Sequence, residues 1–284
     1  MPIHRPLRSF LKDYTNTRHF SDYYHLKRNT KYQHLQVNWL LTFHFIQSGS
    51  ASITSFAESR NHSRKLKLLL EQLPTIQFMK ATQPQLYLPL WKCCRCNSQN
   101  EDFNHIWLCP AIKQNMRSLI SESIAHLKLQ LFIYTSKSVF ADNINDLLNP
   151  SHTIWSLQAK PHDFSFIDLI KGIVPNILSS TLTTFTKSSS TTSSILFPFY
   201  DFIFTQAYNN VWKTRCALTL DKERSLHIMK RQKKCNFATS NVTFSINSFS
   251  NTSFANNTNT FDHFTLINNS YKYGRHWSLF LDRW

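Results

Sequence analysis

Twenty residues, WKCCRCNSQNEDFNHIWLCP at positions 91–110, hold four of the six cysteines of a 284-residue chain. Cys93 and Cys96 form a C-x2-C pair, His105 follows after eight intervening residues, and Cys109 comes after three more. A C-x2-C turn directs two sulfurs inward from one tight bend, with the backbone N–H groups that follow free to bond the thiolates. His105 and Cys109 stand at i and i+4, which places them on one face if the segment is helical. Three thiolates and one imidazole make a closed tetrahedral set, the ligand pattern of a structural zinc site. Cys94 is excluded from it, because C-x-C is too short for the knuckle, and is expected to be a spectator. Glu101 and Asp102 are expected to cap the helix that presents His105, where negative charge suits the helix dipole. Pro110 then opens a new helix and ends the ligand helix at Cys109. Lys92, Arg95 and Lys113 are placed to offset the net charge of −1 that neutral His105 and three thiolates leave on a divalent ion.

Composition narrows the function classes. Only three glycines are present, which argues against a phosphate-cradling loop or a dinucleotide crevice. The formal charge is +16 with a pI near 9.7, the balance of a chain that attracts polyanions, nucleic acid before acidic membrane. The first ten residues lack the apolar stretch of a signal peptide, so a nuclear or cytoplasmic, non-secreted protein is expected. A reducing compartment then favours metal over disulfide. No apolar run is long enough to span a bilayer, and no membrane partner is expected.

Periodicity predicts a mainly α protein. Residues 1–57 read as a basic N-terminal arm whose Tyr14, Tyr23, Tyr24 and Tyr32 either stack on bases or belong to a packing partner. Residues 37–46 are a short helix or a buried strand, which length alone does not decide. Leu66, Leu69, Leu70 and Leu73 follow the i, i+3, i+4, i+7 rule on a helix over 59–73, with Arg60, Arg64, Lys65 and Lys67 on its other side as candidate phosphate contacts. The approach at 83–91, QPQLYLPLW, reads as extended. Amphipathic helices follow at 110–131, around 140–148, at 164–177 with a break at Gly172 and Pro175, and at 199–232. The polar stretch SSSTTSS at 188–194 reads as a linker, and 236–284 as a low-complexity, disordered tail. The resulting division is 1–57, a zinc-binding unit at 58–132, a helical region at 133–235 and the tail.

The run RKLKLLLEQLPTIQFMKATQPQLYLPLWKCCRCNSQNEDFNHIWLCP resembles the zinc-binding domain that follows the polymerase in non-LTR (LINE-type) retrotransposon polyproteins. A basic-apolar helix ending in Leu73-Pro74-Thr75, a spacer, the C-x2-C pair, an acidic residue, His-x3-Cys and a downstream helix occur in that order over residues 58–132. The resemblance implies that Cys93, Cys96, His105 and Cys109 are zinc ligands, that RNA or DNA is the partner, and that a protein encoded by the parent element is a further one. The stretches FIDLIKGIVP (166–175) and NNVWKTRCALTLDKE (209–223) resemble the tail of related proteins in some fungal genomes. The chain contains no Asp-Asp pair for a polymerase metal site, too few carboxylates for an RNase H, and neither an HExxH motif nor a nucleophile elbow for a hydrolase. A non-catalytic piece is therefore expected. It either binds RNA or single-stranded DNA, with Arg60, Arg64, Lys65, Lys67, Lys92 and Arg95 on phosphates and Trp91 on a base, or serves as a structural or protein-interaction module. Phe103 and Trp107 either join Trp91 in stacking or cover the zinc site.

Overall fold

The computed structural model describes residues 7–48, 55–135, 141–158, 160 and 162–234; the tail expected at 236–284 lies outside the described residues. Among the described residues there is no β-strand, and the one extended pairing is an isolated antiparallel bridge between Val37 and Pro175. The expected α class is what the chain adopts.

The centre of the fold is a pair of long helices, α6 (Lys113–Thr135) and α10 (Ser189–Gln206), packed along one another. On α10 the buried positions are Thr192, Ile195, Leu196, Phe199, Tyr200, Ile203 and Phe204, an unbroken 3.6-residue stripe. On α6 they are Met116, Leu119, Ser123, Ile124, Leu127, Gln130 and Leu131. A stacked pair, His126 on Phe202 with ring centroids 4.3 Å apart, joins the two helices at their edge.

Around this pair lie α1 (Leu7–Tyr24), α2 (Trp39–Gln47), α3 (Phe56–Leu69), α4 (Ile76–Thr82), the short α5 (Phe103–Leu108), α7 (Asp142–Leu147), α8 (Phe166–Ile170) and α9 (Asn176–Thr186). After α10 come a π-helical turn (Ala207–Trp212), α11 (Lys213–Ser225) and α12 (Lys230–Lys234). One apolar core takes side chains from Tyr23 to Val211 and so draws on all three stretches expected to be separate units. A smaller cluster of Ile76, Tyr87 and Trp91 sits under the approach to the knuckle.

Three expectations change. Residues 188–194 are not a linker. Ser188 caps α10 by accepting from the Thr191 N–H at 3.2 Å, and Thr192 is buried on α9 through hydroxyl contacts to Thr183 and Thr186. Serine and threonine thus satisfy a polar helix–helix seam that a search for apolar periodicity does not see. The described part of the expected arm, residues 7–48, is not free either. Tyr23 and Tyr32 are buried, Tyr24 is half-buried and stacks on Phe20, and Tyr14 alone of the four is exposed. The 83–91 approach is a set of turns rather than an extended run, with Tyr87 turned inward to donate to Glu223 at 2.6 Å.

Of residues 37–46, the stretch from Trp39 on is helix, with Asn38 capping α2 through the Leu41 N–H and Val37 in the bridge to Pro175. The break expected at Gly172 is real and sterically required. Its φ is +81°, and a Cβ there would stand 3.0 Å from two ring carbons of Phe45. Among the described residues no helix is long and apolar enough to cross a membrane.

A candidate metal centre

The knuckle closes on its own backbone. Cys93 N–H donates to the Gln99 carbonyl at 2.9 Å, Asn97 N–H returns to the Cys93 carbonyl at 2.9 Å, and Asn97 takes the left-handed φ of +53° that asparagine tolerates. The Arg95 N–H points at Cys93 Sγ from 3.4 Å, the amide-to-sulfur contact expected of such a turn. Opposite the knuckle, Asp102 caps α5 by accepting from the His105 N–H at 2.6 Å, which fixes the imidazole in the first turn. Cys109 lies one residue past α5 with φ −55° and ψ 126°, so the i, i+4 pair spans the end of the helix rather than lying within it.

The four side chains converge. Cys93 Sγ and Cys109 Sγ are 3.8 Å apart, Cys96 Sγ and His105 Nε2 are 3.5 Å apart, and all four donor atoms lie within 4.8 Å of one another. Ligands about 2.3 Å from a common tetrahedral centre stand about 3.8 Å from each other, so the set fits one metal ion without rearrangement. Cys93, His105 and Cys109 are buried and Cys96 is half-buried. No further His, Cys, Asp or Glu group of this kind occurs among the described residues.

Electrostatics in the cluster divide the thiols. Burial pushes Cys93 up to about 12 and raises Cys109 as well. Burial also works to raise Cys96, but hydrogen bonds from Ser98, the Gln99 backbone and His105 outweigh it and hold Cys96 at about 6. Near neutral pH the metal-free site therefore keeps protons on Cys93 and Cys109, while Cys96 is already a thiolate. Metal loading is expected to release about two protons per chain at pH 7.5. Calorimetric titration in buffers of different ionisation enthalpy reads this directly, and loading without proton release would rule out thiolate ligation by Cys93 and Cys109. The sign follows: acid competes with the metal for the two raised thiols, so affinity falls as pH falls.

Two acidic residues beside the cluster have different jobs. Asp102 caps the ligand helix as expected, whereas Glu101 does not. Its carboxylate accepts from the Ile76 N–H at 3.1 Å, at the start of α4, and from Arg215 Nε of α11 at 2.9 Å. Glu101 is 1% exposed and Arg215 3%. Arg95, expected on a phosphate, turns inward to the carbonyls of Ile106 and Val211 and so ties the knuckle to the π-helical turn. Burial works against the Arg95 charge, and Cys109, Cys93 and Glu101 favour it. Cys94 faces away from the ligands, 3.8 Å from the Thr219 hydroxyl.

The residues expected to contact nucleic acid are not brought to one face. Lys65 is buried, 2.9 Å from Asp201 and 3.1 Å from the Phe45 carbonyl, because the side of α3 expected to carry only charge also packs on α2. Arg64 is half-buried, its guanidinium over the Tyr208 ring. Arg60 and Lys67 are exposed, and Lys92 is half-buried and bonded to Asn100. Trp91 is 5% exposed, edge-on to Tyr87, with Lys222 over its ring; Phe103 and Trp107 are core residues. None of the three is available for stacking on a base in this conformation. Arg215, the counter-ion of Glu101, escaped sequence reasoning. The one local signal was a carboxylate next to a helix cap that needed only one.

Comparison with protein-family models, curated proteins and solved structures finds no match to this chain. Fold and site define an α-helical protein with a Cys3His cluster able to hold a metal ion.

Proposed function

We propose that the metal is zinc and that the protein is a non-catalytic RNA- or single-stranded-DNA-binding module of LINE-type retrotransposon origin. Three sulfurs and one imidazole leave no open coordination position, which suits a structural zinc and not a catalytic one. The origin rests on the resemblance over residues 58–132.

The observation that carries the binding role is where the charge ends up. Glu101, Asp168 and Glu223 are buried against Arg215, Lys31 and Lys233, so these carboxylates are spent inside the fold on neutral pairs. Pairs that cancel inside the fold leave the net +16 of the chain unreduced, and among the described residues Lys27, Arg28, Arg60, Lys67 and Lys160 are exposed. Such a surface takes polyanions with a strong dependence on salt. The test is electrophoretic binding of the full chain to RNA, single-stranded DNA and duplex DNA at two salt concentrations. Single strands are expected to bind, with affinity falling steeply as salt rises. No binding at low salt would replace this reading with that of a protein-interaction module. An exposed apolar run at the end of α6, Phe132, Ile133 and Tyr134, supports that second reading.

A further inference from the structure

A groove of about 560 Å³ runs between the 3₁₀ turn Lys27–Gln33 and a wall that includes Leu157, Lys160, His162, Ser165 and Lys171, with Asn104 and Leu108 of α5 forming its third side. Its size falls in the range of roughly 300–1,000 Å³ that suits a small-molecule or nucleotide-sized group. Five cations line it: Lys27, Arg28, Lys31, Lys160 and Lys171. Nothing in the sequence singled out this set, because Lys27, Arg28 and Lys31 stand far along the chain from Lys160 and Lys171.

The cations fall into two kinds. Lys31 and Lys171 belong to a buried network in the floor. Lys31 stands 2.7 Å from Asp168, Tyr32 donates to the same carboxylate at 2.5 Å, the Ser165 N–H and hydroxyl both donate to it at 2.9 Å, and Lys171 pairs with Glu71. Burial works to raise the Asp168 carboxyl, and Lys171 and Lys31 more than reverse it, so Asp168 stays charged and holds the floor in place. Lys27, Arg28 and Lys160 stand exposed on the rim, and among the described residues none of them takes part in an ion pair. His34 from one wall and His162 from the other meet edge to face at 5.6 Å and add N–H donors. A concave surface with a fixed floor and three unneutralised cations around its rim is complementary to a group carrying several negative oxygens.

We infer that this groove is a phosphate-binding site, and that on the function proposed above it holds the phosphodiester backbone of the bound single strand. The inference rests on that reading for its ligand and on the groove itself for its chemistry. It moves the contact surface away from α3, where of the four basic candidates only Arg60 and Lys67 remain fully exposed, to a groove walled in part by α5.

The test uses the full, metal-loaded chain and two variants, Lys27→Ala/Arg28→Ala/Lys160→Ala and Arg60→Ala/Lys67→Ala. All five side chains are exposed, so the unliganded unfolding temperature of both variants should match the parent. Binding to a fluorescein-labelled 20-nucleotide oligouridylate is followed by anisotropy across a salt series. The groove variant is expected to bind about ten- to a hundredfold more weakly, and its log–log salt slope to flatten by about 2, since each contact to a single strand contributes about 0.7. The α3 variant should stay within about twofold of the parent. In parallel, inorganic tripolyphosphate should raise the unfolding temperature of the parent and not of the groove variant. If the groove variant binds the oligonucleotide as the parent does, the inference fails while the nucleic-acid reading survives. If the parent ignores the oligonucleotide but tripolyphosphate stabilises it in a groove-dependent way, the nucleic-acid reading fails and the phosphate site stands. If neither probe binds, both fall.

Discussion

Purified under reducing conditions, the protein is expected to carry one zinc per chain, and Cys93→Ser or His105→Ala should bring the metal content close to zero. The effect on stability is expected to be the largest of any single change. Structural zinc in small sites supplies on the order of 10 kcal/mol of folding free energy, comparable to the whole stability of a domain. A knuckle acting as a small unit of its own would confine the damage to residues 84–132 and largely spare the helices beyond 160. The structure extends it. Cys93, Phe103, Ile106, Trp107 and Cys109 are members of the main core, and Arg95 bonds to the π-helical turn. Chelation should therefore loosen α5, the π-helical turn and α11 together, seen as loss of near-ultraviolet tryptophan signal and of amide protection around Val211. Metal analysis that finds no bound ion with all four side chains intact would refute the site. Chelation that leaves the signal of Trp107 unchanged would show that the cluster does not organise its surroundings.

The second large effect is expected at the buried pair behind the knuckle. Glu101→Leu leaves the Arg215 guanidinium uncompensated at 3% exposure, and Arg215→Met does the same to the carboxylate. Each single change should cost about 3–5 kcal/mol, because what is lost is the counter-charge and not merely a contact. The double change Glu101→Leu/Arg215→Met removes both charges and should recover most of that loss. A urea-unfolding cycle over the four proteins measures the coupling. Single changes costing under about 1 kcal/mol, or costs that simply add in the double variant, would mean that water reaches the pair.

The Cys3His cluster was legible because its geometry is local: a two-residue gap, an eight-residue gap and a four-residue step bring four donors together with help from neighbours within the same twenty residues, Arg95, Asn97, Gln99 and Asp102 among them. Helix α6 was legible for the same reason, through the spacing of Met116, Leu119, Ile124, Leu127 and Leu131. What was not legible depends on partners far along the chain. Lys65 reads as a surface cation until Asp201 and the Phe45 carbonyl are seen around it. Trp91 reads as a stacking platform until Tyr87 and Lys222 enclose it. Helix α1 hides its periodicity because its inward stripe mixes Asn16 with Phe20 and Tyr23, and the first turns of α10 hide theirs in hydroxyls. The groove cations could not be grouped from sequence, since only the packing of the 3₁₀ turn Lys27–Gln33 against α8 brings them together.

The long reach of the buried polar pairs has a consequence for synthesis. Glu101 and Arg215 are 114 residues apart, and Tyr32–Asp168, Lys65–Asp201 and Tyr87–Glu223 are each separated by 136. A ribosome adding about 5–20 residues per second leaves each N-terminal member waiting for roughly 6–27 s before its partner is made. The knuckle can gather its four ligands as soon as residue 109 clears the exit tunnel, but its flanking carboxylate stays open to water until α11 follows. The nascent chain can thus gather this cluster early, whereas the last of these buried polar pairs closes only once α11 has left the ribosome.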